Sequence, residues 1–216
     1  MKFLEIAEHL KGIRHTGMAR GKQLYEHILK THPNRCLELG FAHGVSTCYT
    51  AAALQECGSG IITSVDLIHT KNLNPNLEQL LAKTGLEKYC EIRREQNSYT
   101  WFLKKEIEQS SNNYICAPKF DFCFIDGAKN WTIDGFAFFL VDKLLKVNGW
   151  ILFDDYEWSY KGYGKELMDG ITIRELSPDQ AEIPNVRLIF QLLVMQHPNY
   201  YNFKIDGNWA WVQKRK

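Results

Sequence analysis

Apolar residues recur at helical spacing over positions 2–11 and 18–31, and the second of these segments is halted at His32-Pro33. From position 35 the pattern changes. Short apolar runs at 35–40, 60–66, 89–93, 120–126 and 149–154 read as strands, separated by helix-like segments at 46–57, 75–84, 99–110 and 131–145. The runs scarcely alternate, as in IITSV at 61–65 and FDFCFI at 120–125. Strands buried on both faces read this way, which implies a parallel sheet covered by helices. Asn74 is placed to cap the helix predicted over 75–84, with Pro75 at its first position, where a missing N–H is harmless.

The tail breaks the alternation. A polar, aromatic loop over about 156–184 leads to a helix predicted over 186–197, and strand-like segments at 200–205 and 208–213 flank Asp206-Gly207, a hairpin signal. The expected fold is α/β: a doubly wound, mostly parallel seven-stranded sheet ending in a C-terminal antiparallel hairpin. Positions 1–33 are expected to form a helical cap on one domain spanning 34–216.

Composition narrows the setting. The 216 residues are 45% hydrophobic and 24% charged, enough for one sizeable core. A net charge of +1, with no basic run longer than Lys214-Arg215-Lys216, argues against nucleic acid or an anionic membrane as partner. Six cysteines (Cys36, Cys48, Cys57, Cys90, Cys116 and Cys123) show no C-x-x-C pair, and several sit in apolar runs as small hydrophobes. The first sixteen residues lack the apolar region of a signal peptide, and the apolar stretch at 188–195 is too short to span a bilayer. A soluble, cytoplasmic protein is expected.

Candidate chemistry gathers at the carboxyl ends of the strands, where open α/β sheets hold ligands. Glu38, Asp66, Asp126, Asp154 and Asp155 all fall there. Any one strand-ending acid could simply cap the following turn; five at one edge point to a site. The first turn runs Gly40-Phe41-Ala42-His43-Gly44, not the G-x-G-x-x-G that lets backbone approach a pyrophosphate. Glu38 would put negative charge beside such a phosphate. A cationic ligand without phosphate reverses the sign, and S-adenosylmethionine, with its ammonium, sulfonium and adenosine, is the ligand expected. Asp66 would then accept hydrogen bonds from both ribose hydroxyls.

At the other strand ends, Asp126, Asp154 and Asp155 would converge if their strands are neighbours. Such a trio repels itself unless protonated or bridged by a cation, and all-oxygen ligands favour magnesium, calcium or manganese. Adjacent residues of a strand point opposite ways, so Asp154 and Asp155 can act together only if the chain turns there.

With these residues the chain resembles the class I S-adenosylmethionine-dependent methyltransferases. The matching motifs are Glu38-Leu39-Gly40-Phe41-Ala42-His43-Gly44, Ser64-Val65-Asp66, the run Phe120 to Gly127, and Gly149 to Tyr156. The resemblance implies a Rossmann-like fold and a cofactor site drawn from Glu38, Gly40, Phe41, Ala42, Gly44, Ser46, Asp66 and Asp126, with Asn97 and Ser98 near the adenine. Ala42 departs from the glycine many members carry.

The acidic trio is similar to the metal site of small-molecule O-methyltransferases. Asp126-Gly127-Ala128-Lys129 matches the D-x-x-K of the catechol and caffeoyl-coenzyme A types, and Asp154-Asp155-Tyr156 looks like the ending of the macrocin type. By that likeness Asp126, Asp154 and Asp155 would hold a divalent metal such as Mg2+. The metal would lower the pKa of an acceptor hydroxyl, and Lys129 or Asp126 would take the proton. The continuation Lys129-Asn130-Trp131 departs from close relatives. The expected reaction is methyl transfer to a hydroxyl of a small molecule. A metal-independent methyltransferase and a non-catalytic cofactor-binding module are the alternatives.

Several residues keep two readings. His43 and His69 could touch the ligand or merely sit exposed in loops. Tyr156, Trp158, Tyr160 and Tyr163 could form an aromatic lid. Trp209 and Trp211 alternate on the last strand and are expected to pack one face of the sheet. The N-terminal helices could cover the acceptor pocket or make a homodimer contact.

Overall fold

A computed structural model describes residues 1–161 and 176–216. Helices α1 (Phe3–Leu10) and α2 (Met18–Thr31) open the chain. In α2 the buried residues Gly21, Leu24, Tyr25 and Ile28 form one stripe, and His32 ends the helix in the left-handed region before Pro33. Then follow β1 (Arg35–Leu39), α3 (Val45–Cys57), β2 (Ile61–Leu67), α4 (Leu77–Thr84), β3 (Cys90–Glu95) and α5 (Tyr99–Ser110). A small hairpin, β4 (Ser111–Asn112) and β5 (Ile115–Cys116), precedes β6 (Phe120–Ile125), α6 (Trp131–Leu144) and β7 (Leu145–Phe153). The described chain resumes with α7 (Pro178–Glu182) and α8 (Asn185–Ile189), a π-helical turn over Phe190–Val194, and the strands β8 (Tyr200–Asp206) and β9 (Trp209–Lys214).

The main sheet has the order β3-β2-β1-β6-β7-β9-β8. Its first five strands are parallel, while β9 runs antiparallel to both β7 and β8. The expected seven-stranded sheet with a terminal hairpin is therefore present. Strand order reverses between β1 and β6, which opens a crevice beyond their carboxyl ends.

Two apolar layers sandwich the sheet. Side chains of α1, α2, α3 and α4 pack on Phe122, Phe124, Leu152, Trp209 and Trp211. The opposite layer joins α5, α6, α8 and the π turn to Cys123, Ile125, Ile151, Phe153 and Val212. The two-residue period of a strand does this sorting, sending Phe122 and Phe124 one way and Cys123 and Ile125 the other. Trp209 and Trp211 share one face as expected, their rings 5.8 Å apart, with Trp209 5.7 Å from Phe124.

Three local readings change. The cap of α4 is Asn76, not Asn74: its side chain accepts from the Gln79 N–H at 3.0 Å while Gln79 accepts from the Asn76 N–H at 2.9 Å. This reciprocal box satisfies two helix-end donors at once, so the helix starts later than Pro75. β7 begins at Leu145, before the run at 149–154, because Leu145 already pairs with Phe120. The helix expected over 186–197 is α8 plus a widened turn in which the Met195 N–H reaches the Phe190 carbonyl at 2.8 Å.

Candidate functional site

The crevice is lined on one side by the turn leaving β1. Three of its five residues have positive φ: Gly40 at +90°, Ala42 at +46° and Gly44 at +92°. A Cβ on Gly40 would run into the carbonyl of Asp126, so glycine is required where β1 and β6 come together. Ala42 stands in the left-handed region, which disfavours any L residue. The compensation lies on β2. Oδ2 of Asp66 accepts the N–H groups of both Phe41 and Ala42 at 2.7 Å, and Oδ1 accepts that of Leu67 at 2.6 Å. A carboxylate has about four lone-pair sites. Three are thus engaged by backbone, so Asp66 shapes the turn itself.

Glu38 lies beneath the turn. It is fully buried on β1 and accepts hydrogen bonds from Ser46 at 2.5 Å, from Thr47, and from Ser64 at 2.7 Å. Burial raises its carboxyl above the ordinary range, and the three hydroxyls work against that rise. Ser46, itself buried, is likewise committed to Glu38. The pair ties the first turn of α3 to β1 and β2, under the crevice floor. Phe41 is buried as well, beneath the Arg94 guanidinium 5.4 Å from its ring centroid. Arg94 is held by Glu78 through two bonds of 2.6 and 2.8 Å and donates to Thr70 at 3.1 Å. Asn97 is exposed after β3, and Ser98 caps α5 by accepting the Thr100 N–H at 3.1 Å.

The acids of β6 and β7 face the same crevice. The N–H of Asp126 bonds to the Leu39 carbonyl at 2.9 Å and that of Asp154 to the Ile125 carbonyl at 3.0 Å, so each extends its ladder one residue past the strand. The chain then turns through Asp155, at φ +57°, which lets Asp155 face inward beside Asp154. One oxygen from each of Asp126, Asp154 and Asp155 lies within 4.8 Å of the others. The Lys129 ammonium stands among them, 3.2 Å from Asp126 Oδ1, 3.1 Å from Asp155 Oδ2 and 3.1 Å from the Gly127 carbonyl.

The side chains of Asp126, Lys129 and Asp155 are 18% to 24% exposed, so these charges interact in a poorly hydrated setting. Burial holds the Asp126 carboxyl well above its ordinary range; Lys129 opposes this and the other two acids add to it. Burial, with Asp155, pushes Asp154 up to about 6. For Lys129, burial disfavours the charge, but Asp126 and Asp155 outweigh it and hold the ammonium protonated.

Residues outside the expected site, with Tyr160 of the expected lid, build this turn. The Tyr99 hydroxyl bonds to Asp134 and accepts the Ala128 N–H at 3.1 Å, while the Tyr160 hydroxyl donates to the Ala128 carbonyl. Asn208, in the β8–β9 turn, donates to Asp155 at 3.1 Å. Asp134, a fully enclosed acid within an apolar helical run, was the one visible hint. Of the expected aromatic lid, Tyr156 is buried against Phe190, and Trp158 and Tyr160 pair edge-on at 4.5 Å between centroids. Tyr163 lies outside the described residues. His43 is fixed by the Pro75 carbonyl at 2.6 Å from Nδ1, with the ring of His15 from the α1–α2 loop 5.7 Å away; His69 is exposed.

The fold has counterparts among solved structures. The O-methyltransferase TomG of Streptomyces achromogenes, involved in tomaymycin synthesis and solved with SAM, is 15% identical and superposes with a TM-score of 0.65, covering 99% of this chain and 89% of that one. The O-methyltransferase of Bacillus cereus in complex with SAH gives 16% identity, a TM-score of 0.64 and the coverages 99% and 89%. SAH-bound methyltransferase PaMTH1 of Podospora anserina gives 16%, 0.68, 99% and 88%. No curated protein matches the chain in sequence. Likeness at this identity establishes the fold. The family comes from sequence: residues 37–156, which carry the turn, Asp66 and the whole acidic cluster, match the family model described as a methyltransferase domain. Since that match spans more than half of the chain, the protein belongs to this methyltransferase domain family.

Proposed function

We propose that the protein transfers the methyl group of S-adenosylmethionine to a hydroxyl of a small molecule. One observation carries this reading: the turn held by Asp66 and the Asp126–Lys129–Asp155 cluster face each other across the β1/β6 switch point. The first suits the nucleoside end of the cofactor, with Gly40, Phe41, Ala42, Gly44, Asp66, Asn97 and Ser98 along its path. Glu38 and Ser46 act from below by holding the turn. The second suits an acceptor whose proton must leave.

In the reaction the S–CH3 bond breaks as the acceptor oxygen forms its bond to the methyl carbon. The sulfonium becomes a neutral thioether, and the hydroxyl proton passes to a base. Asp126 fits the role of base by position, at the end of β6 beside Asp154 and Asp155, and burial raises its carboxyl above the ordinary range, which makes it a stronger proton acceptor than a free carboxylate. Lys129 fits less well: an ammonium has three N–H donors, and Asp126, Asp155 and the Gly127 carbonyl engage all of them. Orientation of an in-line displacement supplies much of the rate in such chemistry.

The three acids have the donor type of a hard-cation site, in which Mg2+ would polarise the acceptor hydroxyl. With Lys129 bound to two of them, the geometry favours the metal-independent form of the reaction. Six unpaired thiols support a reducing, cytoplasmic setting, and among the described residues no helix is long and apolar enough to cross a membrane.

Calorimetric titration with S-adenosylhomocysteine, and with NAD for comparison, tests the cofactor. Binding of the first and not the second is expected, followed by S-adenosylhomocysteine release with hydroxylated aromatic or sugar acceptors. Binding of NAD alone overturns the reading. Cofactor binding without turnover on any acceptor would point to the non-catalytic module.

A further inference from the structure

We infer that Lys129 is itself the cation of the acidic cluster, standing where a divalent metal would have to sit, so that ammonium and metal exclude one another and the unmodified protein takes no divalent metal there. The inference deepens the reading above, but its test does not require methyl transfer.

The contacts are specific. Nζ meets Asp126 Oδ1 at 3.2 Å, Asp155 Oδ2 at 3.1 Å and the Gly127 carbonyl at 3.1 Å, one acceptor for each donor. A hard cation needs carboxylate oxygens at about 2.0 to 2.6 Å. Bound to Asp126 and Asp155 through the same two oxygens, it would lie almost in contact with the ammonium, and like charges at that distance in a poorly hydrated pocket repel strongly.

The backbone on both sides is shaped for this pair. Lys129 has φ +54° and Asp155 φ +57°, a region that non-glycine residues rarely adopt. Each therefore holds an unfavourable conformation that presents one partner of the ion pair to the other. The other groups have protein partners as well. Asp154 Oδ1 accepts the Asp155 N–H at 2.6 Å and Asp154 also receives a hydrogen bond from the Trp209 indole. Asp155 Oδ1 accepts Asn208 at 3.1 Å. Each acid of the cluster thus has a protein hydrogen-bond donor, and the cluster carries a positive charge of its own. In the proposed reaction Lys129 would act electrostatically, as a fixed charge near the acceptor oxygen as its own charge develops, without donating or taking a proton.

Mn2+ titration of wild type and Lys129→Met, read by the electron paramagnetic resonance of the free ion, tests the exclusion. Wild type should show no saturable binding at millimolar metal. Removing the ammonium should open the carboxylates and tighten Mn2+ binding by at least about tenfold. Lys129→Gln serves if the methionine variant does not fold, folding being checked by circular dichroism. Saturable one-to-one binding by wild type overturns the inference, and so does a folded variant that binds Mn2+ no better than wild type. S-adenosylhomocysteine binding, titrated on the same wild-type sample, separately decides the methyltransferase reading. A protein that binds it, yet gains no metal when Lys129 is replaced, loses this inference and keeps that reading.

Discussion

Oδ2 of Asp66 lies 2.7 Å from the backbone nitrogen of Phe41, so an acid at the end of the second strand fixes the shape of the turn after the first. The same oxygen takes the Ala42 N–H, at the residue whose left-handed φ is hardest to hold. Asp66→Asn keeps the size but removes the charge and one acceptor. Hydrogen bonds to charged groups are worth about 1.5 to 3 kcal/mol each, so S-adenosylhomocysteine affinity should fall roughly ten- to hundredfold in a folded protein. Unchanged affinity in calorimetry would remove Asp66 from the cofactor site.

Glu38 makes a different prediction, because it is enclosed and holds three hydroxyls. Glu38→Ala leaves those groups without their acceptor and should destabilise the fold by roughly 3 to 5 kcal/mol in urea unfolding. Glu38→Gln retains an oxygen, and the hydroxyls can rotate to accept from its amide, so a loss of about 1 to 2 kcal/mol is expected. If alanine is as mild as glutamine, the hydroxyl clamp does not hold α3 to the sheet.

Arg94 links α4 to the turn by gripping Glu78 with two N–H groups while lying over Phe41. A lysine can keep the charge but not the planar fork or the stack. Arg94→Lys should therefore resemble Arg94→Ala, each weakening S-adenosylhomocysteine binding several-fold, with about 1 to 2 kcal/mol lost from stability. Full recovery of affinity in the lysine variant would show that charge alone matters there.

These residues also mark what was legible in the sequence. The sheet could be read because its strands are short, doubly buried runs, and because Asp206-Gly207 announces a hairpin. The acids at the strand ends could be read because ligands gather at that edge. Their partners could not. Lys129 meets Asp155 only because two backbone turns adopt positive φ, and no periodicity encodes that. Asn208 reaches Asp155 from a turn more than fifty positions away, through a hairpin whose register depends on the finished sheet. Glu38 has a geometry the sequence did not suggest: the carboxyl that argued against phosphate is turned inward onto Ser46, Thr47 and Ser64. The late start of α4 was open to a closer reading, since Asn76 and Gln79 stand at capping-box spacing.

The last prediction concerns acid stability, away from the crevice. The His27 ring on α2 is wedged among Phe122, Trp150 and Trp211, with centroids 5.2, 5.6 and 4.6 Å away. Its Nε2 is buried without a hydrogen-bond partner among the described residues. Desolvation, reinforced by the Lys30 charge, lowers its pKa from 6.5 to about 4. The unfolded chain therefore binds a proton at His27 over this interval while the folded one does not. The associated stability is complete above the unfolded value of 6.5 and is lost as the pH falls through the folded value of about 4, up to roughly 3 kcal/mol in all. His27→Phe keeps an aromatic ring and cannot titrate. Urea unfolding at neutral pH and near pH 4 should show wild type losing that much more stability than the variant across the interval, whatever offset separates them at neutrality. Parallel pH profiles would mean that His27 is protonated within the fold without penalty, and that water or a rearranged neighbour reaches Nε2.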